Sequence, residues 1–373
     1  MVYRHAIVIA AAFFAASTFW MFLPLLSVSL RHEGVSDLWV GIISGLPWVG
    51  VLATSTLVPS VTRNFGLKYT IVIGLCLSLL AFVGFSVTRT VWLWALLCLL
   101  MGSALSLRWA GLDTWINGSF PDHLRGKLTG LYELIMSGSI AFGPAILALS
   151  GDTGYVPFLA AAVVLAVSAG VIGVVGQESP KARQQGTLPS RRFDVLWHDP
   201  AAFIGIFVIG LTEAVNLSLL PLFGLSSGFS VHKSALLVVM VQVGGALGAL
   251  FIGSLADHLN RVMLSRLCAC ALVLLPIGLI LGLHQALWPW LVFWGIVQGG
   301  LFTLGIISLS TRHSGLGLAS AMTFSMVVYT IGGIIGPPVV GGLLSLFGAG
   351  GFVFGLTAVA LAGAGFILRA PAT

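Results

Sequence analysis

The sequence predicts an all-α polytopic membrane protein, with twelve transmembrane helices arranged as two pseudo-symmetric bundles of six. Of its 373 residues, 58% are hydrophobic and 8% are charged, and the mean hydropathy is +1.07. An average soluble domain has about 25% charged residues. The apolar residues form runs long enough to cross roughly 30 Å of hydrocarbon at about 1.5 Å per residue. A soluble enzyme, a nucleic-acid-binding protein and a disordered regulator are therefore excluded.

One polar stretch divides the apolar runs into two sets of six. Residues 176–200 are rich in Gln, Pro, Ser and basic residues, which is typical of a linker. We therefore predict an N-terminal bundle over 1–175, a cytoplasmic linker over 176–200 and a C-terminal bundle over 201–373. The predicted spans are 6–30, 38–59, 69–87, 91–116, 128–149, 155–175, 201–222, 234–255, 263–283, 288–310, 317–346 and 351–368.

The distribution of lysine and arginine predicts the orientation. If the N-terminus is cytoplasmic, only Arg31, Arg89 and Lys233 fall on the opposite side, and Arg108 lies inside a span. The other basic residues then face the cytoplasm, as the positive-inside rule requires. Both termini are therefore expected in the cytoplasm and the protein in a bacterial inner membrane.

The two halves repeat weakly in sequence. Residues 60–67 and 254–261 occupy equivalent inner loops, and Gly143-Pro144 in the fifth span corresponds to Gly336-Pro337 in the eleventh. Glycine permits close helix contact and proline removes a backbone donor, so these four residues are predicted to kink or pack their helices. Parallel repeats of this kind predict a substrate site between the halves at mid-depth.

The loop at 253–261, GSLADHLNR, resembles the cytoplasmic G-x-L-A-D-[RK]-x-G-[RK] motif of the major facilitator superfamily. The resemblance implies a conformational latch built from Gly253, Asp257 and Arg261, in which the aspartate caps a helix end and pairs with the arginine. The first-half copy has Arg63 where the motif has aspartate. The alternative is an ordinary basic inner loop.

Further segments are similar to the small bacterial YcaD-like group of that superfamily. They are 113–117 (DTWIN), 125–132 (RGKLTGLY), 221–223 (PLF) and 299–305 (GGLFTLG). The resemblance implies a major facilitator fold that moves a small-molecule substrate by alternating access. No catalytic constellation or nucleotide-binding loop occurs in the sequence, so no enzyme activity and no cofactor are expected. We also expect the protein to be a monomer.

Four charged residues fall within the predicted spans: Arg108, Asp113, Glu133 and Glu213. A charge at bilayer depth costs at least roughly 2.5–3.5 kcal/mol on insertion scales, so such residues normally face a cavity or a partner. Arg108 and Glu133 are predicted to pair, either as a static link between two helices or as a pair that opens for a substrate or a proton. Asp113 is a candidate for the same site, although it could only cap a helix end.

Glu213 lies near the middle of the seventh span, and no positive charge is predicted at that depth in the second half. We therefore predict that it binds the coupling proton or contacts a cation. The alternative is a carboxylic acid that is hydrogen-bonded to Asn216 or Gln242.

Polar and aromatic residues inside the spans are candidates for the wall of a substrate cavity, because buried Trp and Tyr pack while keeping one polar group available. These candidates are Trp20, Trp48, Trp109, Asn216, Gln242, Gln298 and Tyr329. Met322 and Met326 lie one turn apart, but no Cys or His occurs at their depth, so no metal site is expected.

Three functions remain compatible with the sequence. The favoured one is proton-coupled efflux of a small organic solute by antiport, supported by the Gly-Pro element of the fifth span and by the net acidic cavity predicted for the second half, where Glu213 is the charge at depth. The second is a proton-coupled importer of a nutrient or metal chelate. The third is a membrane scaffold or receptor that does not transport, for which neutralising Arg108 and Glu213 together would leave the phenotype intact.

Overall fold

Helices make up nearly all of the described chain, and no strand occurs among the residues that the structure describes. The structure, a computed structural model, describes residues 2–119, 125–150, 154–175, 199–281, 286–313 and 315–369. The helices in chain order are α1 (Val2–His32), α2 (Asp37–Ser55), α3 (Val58–Phe65), α4 (Leu67–Val87), α5 (Val91–Ser119), α6 (Arg125–Ser150), α7 (Val156–Val175), α8 (Pro200–Ser226), α9 (Val231–Leu255), α10 (Arg261–Leu274), α11 (Leu287–Arg312) and α12 (Gly315–Arg369). A short 3-10 helix, Leu275–Leu279, extends α10.

The helices have the length and composition that a bilayer demands, since a spanning segment must satisfy its own backbone N–H and C=O groups. Within the described ranges, ten helical stretches are long and apolar enough to cross a membrane. The last of them, Ser320–Arg369, joins two helices at Gly348, whose backbone (φ 58°, ψ −146°) is not helical. Helix α6 adds the shorter apolar stretch Gly138–Leu147. The predicted all-α fold with twelve membrane segments is confirmed.

The main departure from the predicted boundaries follows the second span. We expected that span to run to residue 59, but α2 ends at Ser55 and a separate helix, α3, covers Val58–Phe65. Pro59 lies in the first turn of α3, where its missing N–H is not needed. Gly66 has a φ of 83° and ends α3 directly before α4 begins. The polar sequence that was predicted as a loop is therefore largely helical.

The described residues divide into two compact units. The first is drawn from Met1–Gly34 and Leu46–Gln185, and the second from Val35–Gly45 and Gly186–Thr373. The first part of α2 belongs to the second unit because it packs against α12. A Cβ built on Gly41 would lie 2.1 Å from the Pro337 carbonyl oxygen, and one on Gly341 would lie 2.6 Å from that of Asp37. The predicted linker lies outside the described residues except for Asp199 and Pro200.

The core of the first unit is an aromatic cluster between α1, α4, α5 and α7. The ring of Phe85 lies 5.0 Å from that of Phe22, 5.4 Å from that of Trp94 and 5.7 Å from that of Phe158, measured between centroids. All four side chains are buried. Aromatic pairs at these distances contribute beyond the area that they bury, so the cluster holds the four helices together.

The second unit is packed through glycine contacts instead. A Cβ on Gly244, Gly248 or Gly299 would lie 2.1 Å from a backbone oxygen of the facing helix, so α9 and α11 touch backbone to backbone. Small residues allow this approach in membranes, where association depends on close packing and interhelical hydrogen bonds. Side chains cap the first turns of α9 and α10; at α10 the Asn260 carboxamide oxygen accepts from the N–H groups of Val262 and Met263 at 2.9 and 3.1 Å.

Candidate functional site

Glu213 and Tyr329 form a hydrogen-bonded pair inside the second unit. The Tyr329 hydroxyl donates to Oε2 of Glu213 at 2.9 Å and joins α8 to α12. Both side chains are partly exposed. Among the described residues, no ion pair includes Glu213. The carboxyl group is therefore held by a neutral partner and is not enclosed, which is suitable geometry for a group that takes up and releases a proton.

The contact between α8 and α12 positions this pair. Gly210 lies one turn before Glu213, and a Cβ there would be 2.2 Å from the carbonyl oxygen of Tyr329 itself. The two backbones therefore touch at the residue that bears the hydroxyl group. Phe302 packs edge-on against the Tyr329 ring, with centroids 5.8 Å apart, and limits its movement from the α11 side. The sequence identified both Glu213 and Tyr329, but not their pairing.

Three buried amide side chains lie in the second unit: Asn216 one turn further along α8, Gln242 on α9 and Gln298 on α11. Asn216 is fully enclosed, and its Nδ2 donates to Oε1 of Gln298 at 3.0 Å. Its Oδ1, and the Nε2 of the buried Gln242, have no hydrogen-bond partner among the described residues. The alternative in which Asn216 or Gln242 forms the hydrogen bond to the Glu213 carboxyl group differs from the structure. Tyr329 forms that hydrogen bond, and Asn216 bonds to Gln298. Asn216 Oδ1 and Gln242 Nε2 are thus a buried acceptor and a buried donor that the described part of the chain leaves without a hydrogen bond.

Arg108 is a buried charge in the described part of the first unit. It is 2% exposed, and its Nη1 donates to the carbonyl oxygen of Ala15 on α1. The side chains of Glu133 and Asp113 lie outside the described residues. The predicted Arg108–Glu133 pair and the place of Asp113 therefore stay predictions.

The three tryptophans that were proposed for the cavity wall differ in burial. Trp20 and Trp48 are 6% and 2% exposed, and each packs edge-on against Phe19 at 5.3 and 6.1 Å between ring centroids. Trp109 is 40% exposed. Trp20 and Trp48 thus belong to one aromatic group around α1, whereas Trp109 stands apart from it. Their contact with a substrate stays a prediction.

The residues of the predicted latch lie around the turn that joins α9 to α10: Gly253 in the last turn of α9, Asp257 in the turn and Arg261 at the start of α10. Arg261 Nη2 is 4.0 Å from Oδ1 of Asp257, and both side chains are exposed, so the pair is weak. Arg261 Nε also donates to the carbonyl oxygen of Ala256 at 3.0 Å. Asn260, and not Asp257, caps α10. A Cβ on Gly253 would meet only the Thr303 methyl group at 3.4 Å, so Gly253 does not set a close helix approach.

The Gly-Pro elements pack in the same way in both units. A Cβ on Gly143 would lie 2.5 Å from the Ser17 carbonyl oxygen on α1, and one on Gly336 would lie 2.7 Å from that of Leu211 on α8. Pro144 and Pro337 both lie inside helices. The only residue of α12 with non-helical dihedral angles is Gly348, so the backbone break is not at Gly336-Pro337. The elements therefore mark equivalent close contacts, α6 against α1 in the first half and α12 against α8 in the second.

Sequence analysis missed Asp199. It precedes α8 and is 3% exposed, but its carboxylate does not cap that helix. Instead Oδ2 accepts from the Ser308 hydroxyl at 2.7 Å and lies 3.6 Å from Nε of Arg312, both at the end of α11. The residue stands in the polar run that was predicted as a linker, so its hydropathy gave no signal. An aspartate directly before Pro200 was the only clue, since it marks a helix start.

Replacing Asp199 by alanine is expected to lower stability more than replacing Asp257. The Asp199 carboxylate is buried and bonded to α11, and the loss of such a bond costs about 1–3 kcal/mol. The matched Asp257→Ala variant removes an exposed ion pair and should change little. Thermal unfolding of both purified variants in detergent measures the difference. Equal melting temperatures for the two variants would show that Asp199 does not hold α8 to α11.

Two helical bundles with polar groups buried inside each of them define a membrane transporter. The chain belongs to the Major Facilitator Superfamily, whose sequence model matches residues 8–318. It therefore has the fold and family of a secondary transporter of small molecules.

Relatives extend over most of the chain. The MFS-type transporter YfkF of Bacillus subtilis is 23% identical over 343 residues, which are 90% of this chain and 88% of the relative. YcaD of Escherichia fergusonii, also an MFS-type transporter, is 21% identical over 321 residues, 84% of this chain and 81% of the relative. The resemblance to the YcaD-like group is confirmed.

Solved structures share the fold. The nucleoside transporter NupG has a TM-score of 0.80 and 15% identity, covering 98% of this chain and 96% of NupG. A D-xylose-proton symporter has a TM-score of 0.75 and 14% identity, covering 98% of this chain and 96% of the symporter. At such identities the likeness extends to the fold alone.

Proposed function

We propose that the protein is a proton-coupled secondary transporter that exports a small solute across a bacterial inner membrane by antiport. Its two halves, 1–175 and 201–373, alternate access to the substrate, and both termini are cytoplasmic. The Glu213–Tyr329 pair carries the proposal, because it offers a carboxyl group within a spanning helix, hydrogen-bonded at 2.9 Å to a neutral hydroxyl. A carboxyl group with no charged neighbour among the described residues can exchange a proton without breaking an ion pair.

Two further observations support proton coupling over a static role. Glu213 is partly exposed whereas Asn216, one turn away, is fully enclosed, so the carboxyl group is the reachable member of the cluster. The fold also includes a D-xylose-proton symporter, and it therefore accommodates coupling to protons. The export direction rests on the sequence alone, namely on the Gly143-Pro144 element of the fifth span.

The test begins with a metabolite comparison of cells with and without the protein, which identifies a candidate solute. That solute, labelled, is then supplied to inverted and right-side-out membrane vesicles with an imposed pH gradient. We expect accumulation in inverted vesicles with an acidic interior, and loss of accumulation when a protonophore collapses the gradient. Accumulation only in right-side-out vesicles would make the protein an importer, and transport that is indifferent to the protonophore would refute proton coupling.

A further inference from the structure

Arg108 is the most completely enclosed charge among the described residues of the first unit, and its surroundings fix its position tightly. It lies inside α5 and is 2% exposed. The neighbouring helix α4 touches α5 at this residue, since a Cβ on Gly74 would lie 2.8 Å from the Arg108 backbone nitrogen and 3.0 Å from its Cβ. The base of the side chain therefore cannot shift toward α4.

The hydrogen bonds around this guanidinium group are incomplete. The group carries five N–H donors. Nη1 donates to the carbonyl oxygen of Ala15, whereas Nε and Nη2 have no partner among the described residues. The Ala15 oxygen is shared, because the Thr18 hydroxyl also donates to it at 2.8 Å. In the described part of the chain, the positively charged group therefore has one hydrogen-bond acceptor, a backbone carbonyl oxygen that it shares with the Thr18 hydroxyl.

The two unpartnered nitrogens are the ones that bind an oxyanion together. Within the guanidinium plane, Nη1 lies on the same side as Cδ. The N–H of Nε and one N–H of Nη2 therefore point in the same direction, along the opposite edge of the group. This edge presents two parallel donors that match the two oxygens of a carboxylate or of a phosphate group. Ala15 occupies the other side and leaves this edge open for such a pair of oxygens.

We propose that the Nε–Nη2 edge of Arg108 binds an oxyanion of the transported solute, so that the substrate class is a carboxylate- or phosphate-bearing organic anion. The inference rests on the proposed transport function and narrows its cargo. Burial of an uncompensated charge is expensive in a membrane protein, which is why such residues belong to substrate or ion pathways. A carrier changes conformation during its cycle, so an edge enclosed in this state becomes reachable in another.

The test measures thermal unfolding of the full chain in detergent, with the fluorescence of its 11 tryptophans as the signal. The probes are sodium benzoate, sodium succinate and inorganic phosphate, each compared with sodium chloride at equal ionic strength, with benzamide and succinamide as neutral counterparts. At least one oxyanion should raise the melting temperature of the unsubstituted protein by a few degrees, and its amide should not. Benzoate or succinate alone would assign a carboxylate, and phosphate alone a phosphate group.

Two variants connect the effect to Arg108. Arg108→Met should abolish the oxyanion shift and, in chloride, unfold roughly 2 °C or more above the unsubstituted protein, because it removes an uncompensated buried charge. Arg63→Met makes the same change at an exposed side chain and should leave both values unaltered. Arg108→Lys keeps the charge but loses the two-pronged edge, so it should keep only part of the shift.

Four results would overturn the inference. Arg108→Met could unfold below the unsubstituted protein in chloride, which would make Arg108 a structural group. No oxyanion could produce a shift that depends on Arg108. A charge exchange, Arg108→Glu with Glu133→Arg, could restore stability and transport, which would identify a static ion pair. Proton-driven transport by Arg108→Met with an unchanged KM would also refute the oxyanion site, and the proposed transport function would stand. Oxyanion binding at Arg108 without any proton-driven transport would instead refute the proposed function and leave the oxyanion site standing.

Discussion

Replacing Glu213 with glutamine is expected to abolish proton-driven transport while the protein stays folded. Glutamine is nearly the same size and can still accept the hydrogen bond that Tyr329 donates at 2.9 Å. It cannot bind or release a proton at physiological pH. Accumulation of the solute against its gradient should therefore fall to the level of protein-free vesicles. Exchange of labelled for unlabelled solute without a pH gradient should continue, because that reaction needs no net proton movement.

A measurement that needs no solute is the infrared difference spectrum of the purified protein between acidic and alkaline solution. Among the carbonyl stretching bands of the 11 Asp and Glu side chains in their protonated form, one component should be present in the unsubstituted protein and lost in Glu213→Gln. Glu33→Gln is the matched control, since Glu33 is exposed and lies 3.7 Å from Arg89. Tyr329→Phe keeps the carboxyl group and should keep the coupling at a reduced rate. Gradient-driven accumulation that survives in Glu213→Gln would refute the assignment of the proton site.

Hydropathy was sufficient to predict the helices because a bilayer allows few alternatives to a self-bonded backbone. It was less accurate where a segment leaves the hydrocarbon. Helix α3 was missed because half of its residues are polar. The break at Gly348 was predicted, because the sequence ends one span at residue 346 and begins the next at 351. Single-residue boundaries depend on such local geometry.

The members of the candidate site were recognisable as polar residues in apolar runs, but their partners were not. Glu213 and Tyr329 are 116 residues apart in sequence, and their contact exists only because Gly210 lets α8 touch α12. Sequence reasoning offered Asn216 or Gln242 as the hydrogen-bond partner of Glu213, as the alternative to a proton-binding role. The structure instead joins Asn216 to Gln298, 82 residues away. Local spacing cannot reveal a bond between helices that are distant in sequence.

Asp199 illustrates the opposite difficulty. Its carboxylate is buried and bonded to Ser308, but it stands in a polar segment where a charged residue attracts no attention. A charge is informative in sequence only when its surroundings make it unusual. Arg108 and Glu213 met that condition because apolar residues flank them, and Asp199 did not.

The substitution Gly210→Ala is expected to destabilise the second unit and to disrupt the Glu213–Tyr329 pair. The added Cβ would lie 2.2 Å from the Tyr329 carbonyl oxygen and 2.8 Å from its carbonyl carbon, which are backbone atoms that cannot turn aside. The helices must separate, and overpacking of this kind costs about 1–3 kcal/mol. At roughly 2–4 °C per kcal/mol for a domain of this order of size, the melting temperature should fall by several degrees.

Gly205→Ala is the matched control on the same helix. The nearest atom to a Cβ there is Cδ1 of Ile367 at 3.8 Å, an ordinary contact, so the substitution should be neutral or slightly stabilising because alanine favours a helix. If the helix contact serves only stability, Gly210→Ala at low temperature should transport normally. If it positions Tyr329 opposite Glu213, proton-driven accumulation should fall even where the variant is fully folded, and the decrease should match that of Tyr329→Phe. Equal stability of the two glycine variants would show that α8 and α12 are farther apart than the 2.2 Å between a Cβ on Gly210 and the Tyr329 carbonyl oxygen implies.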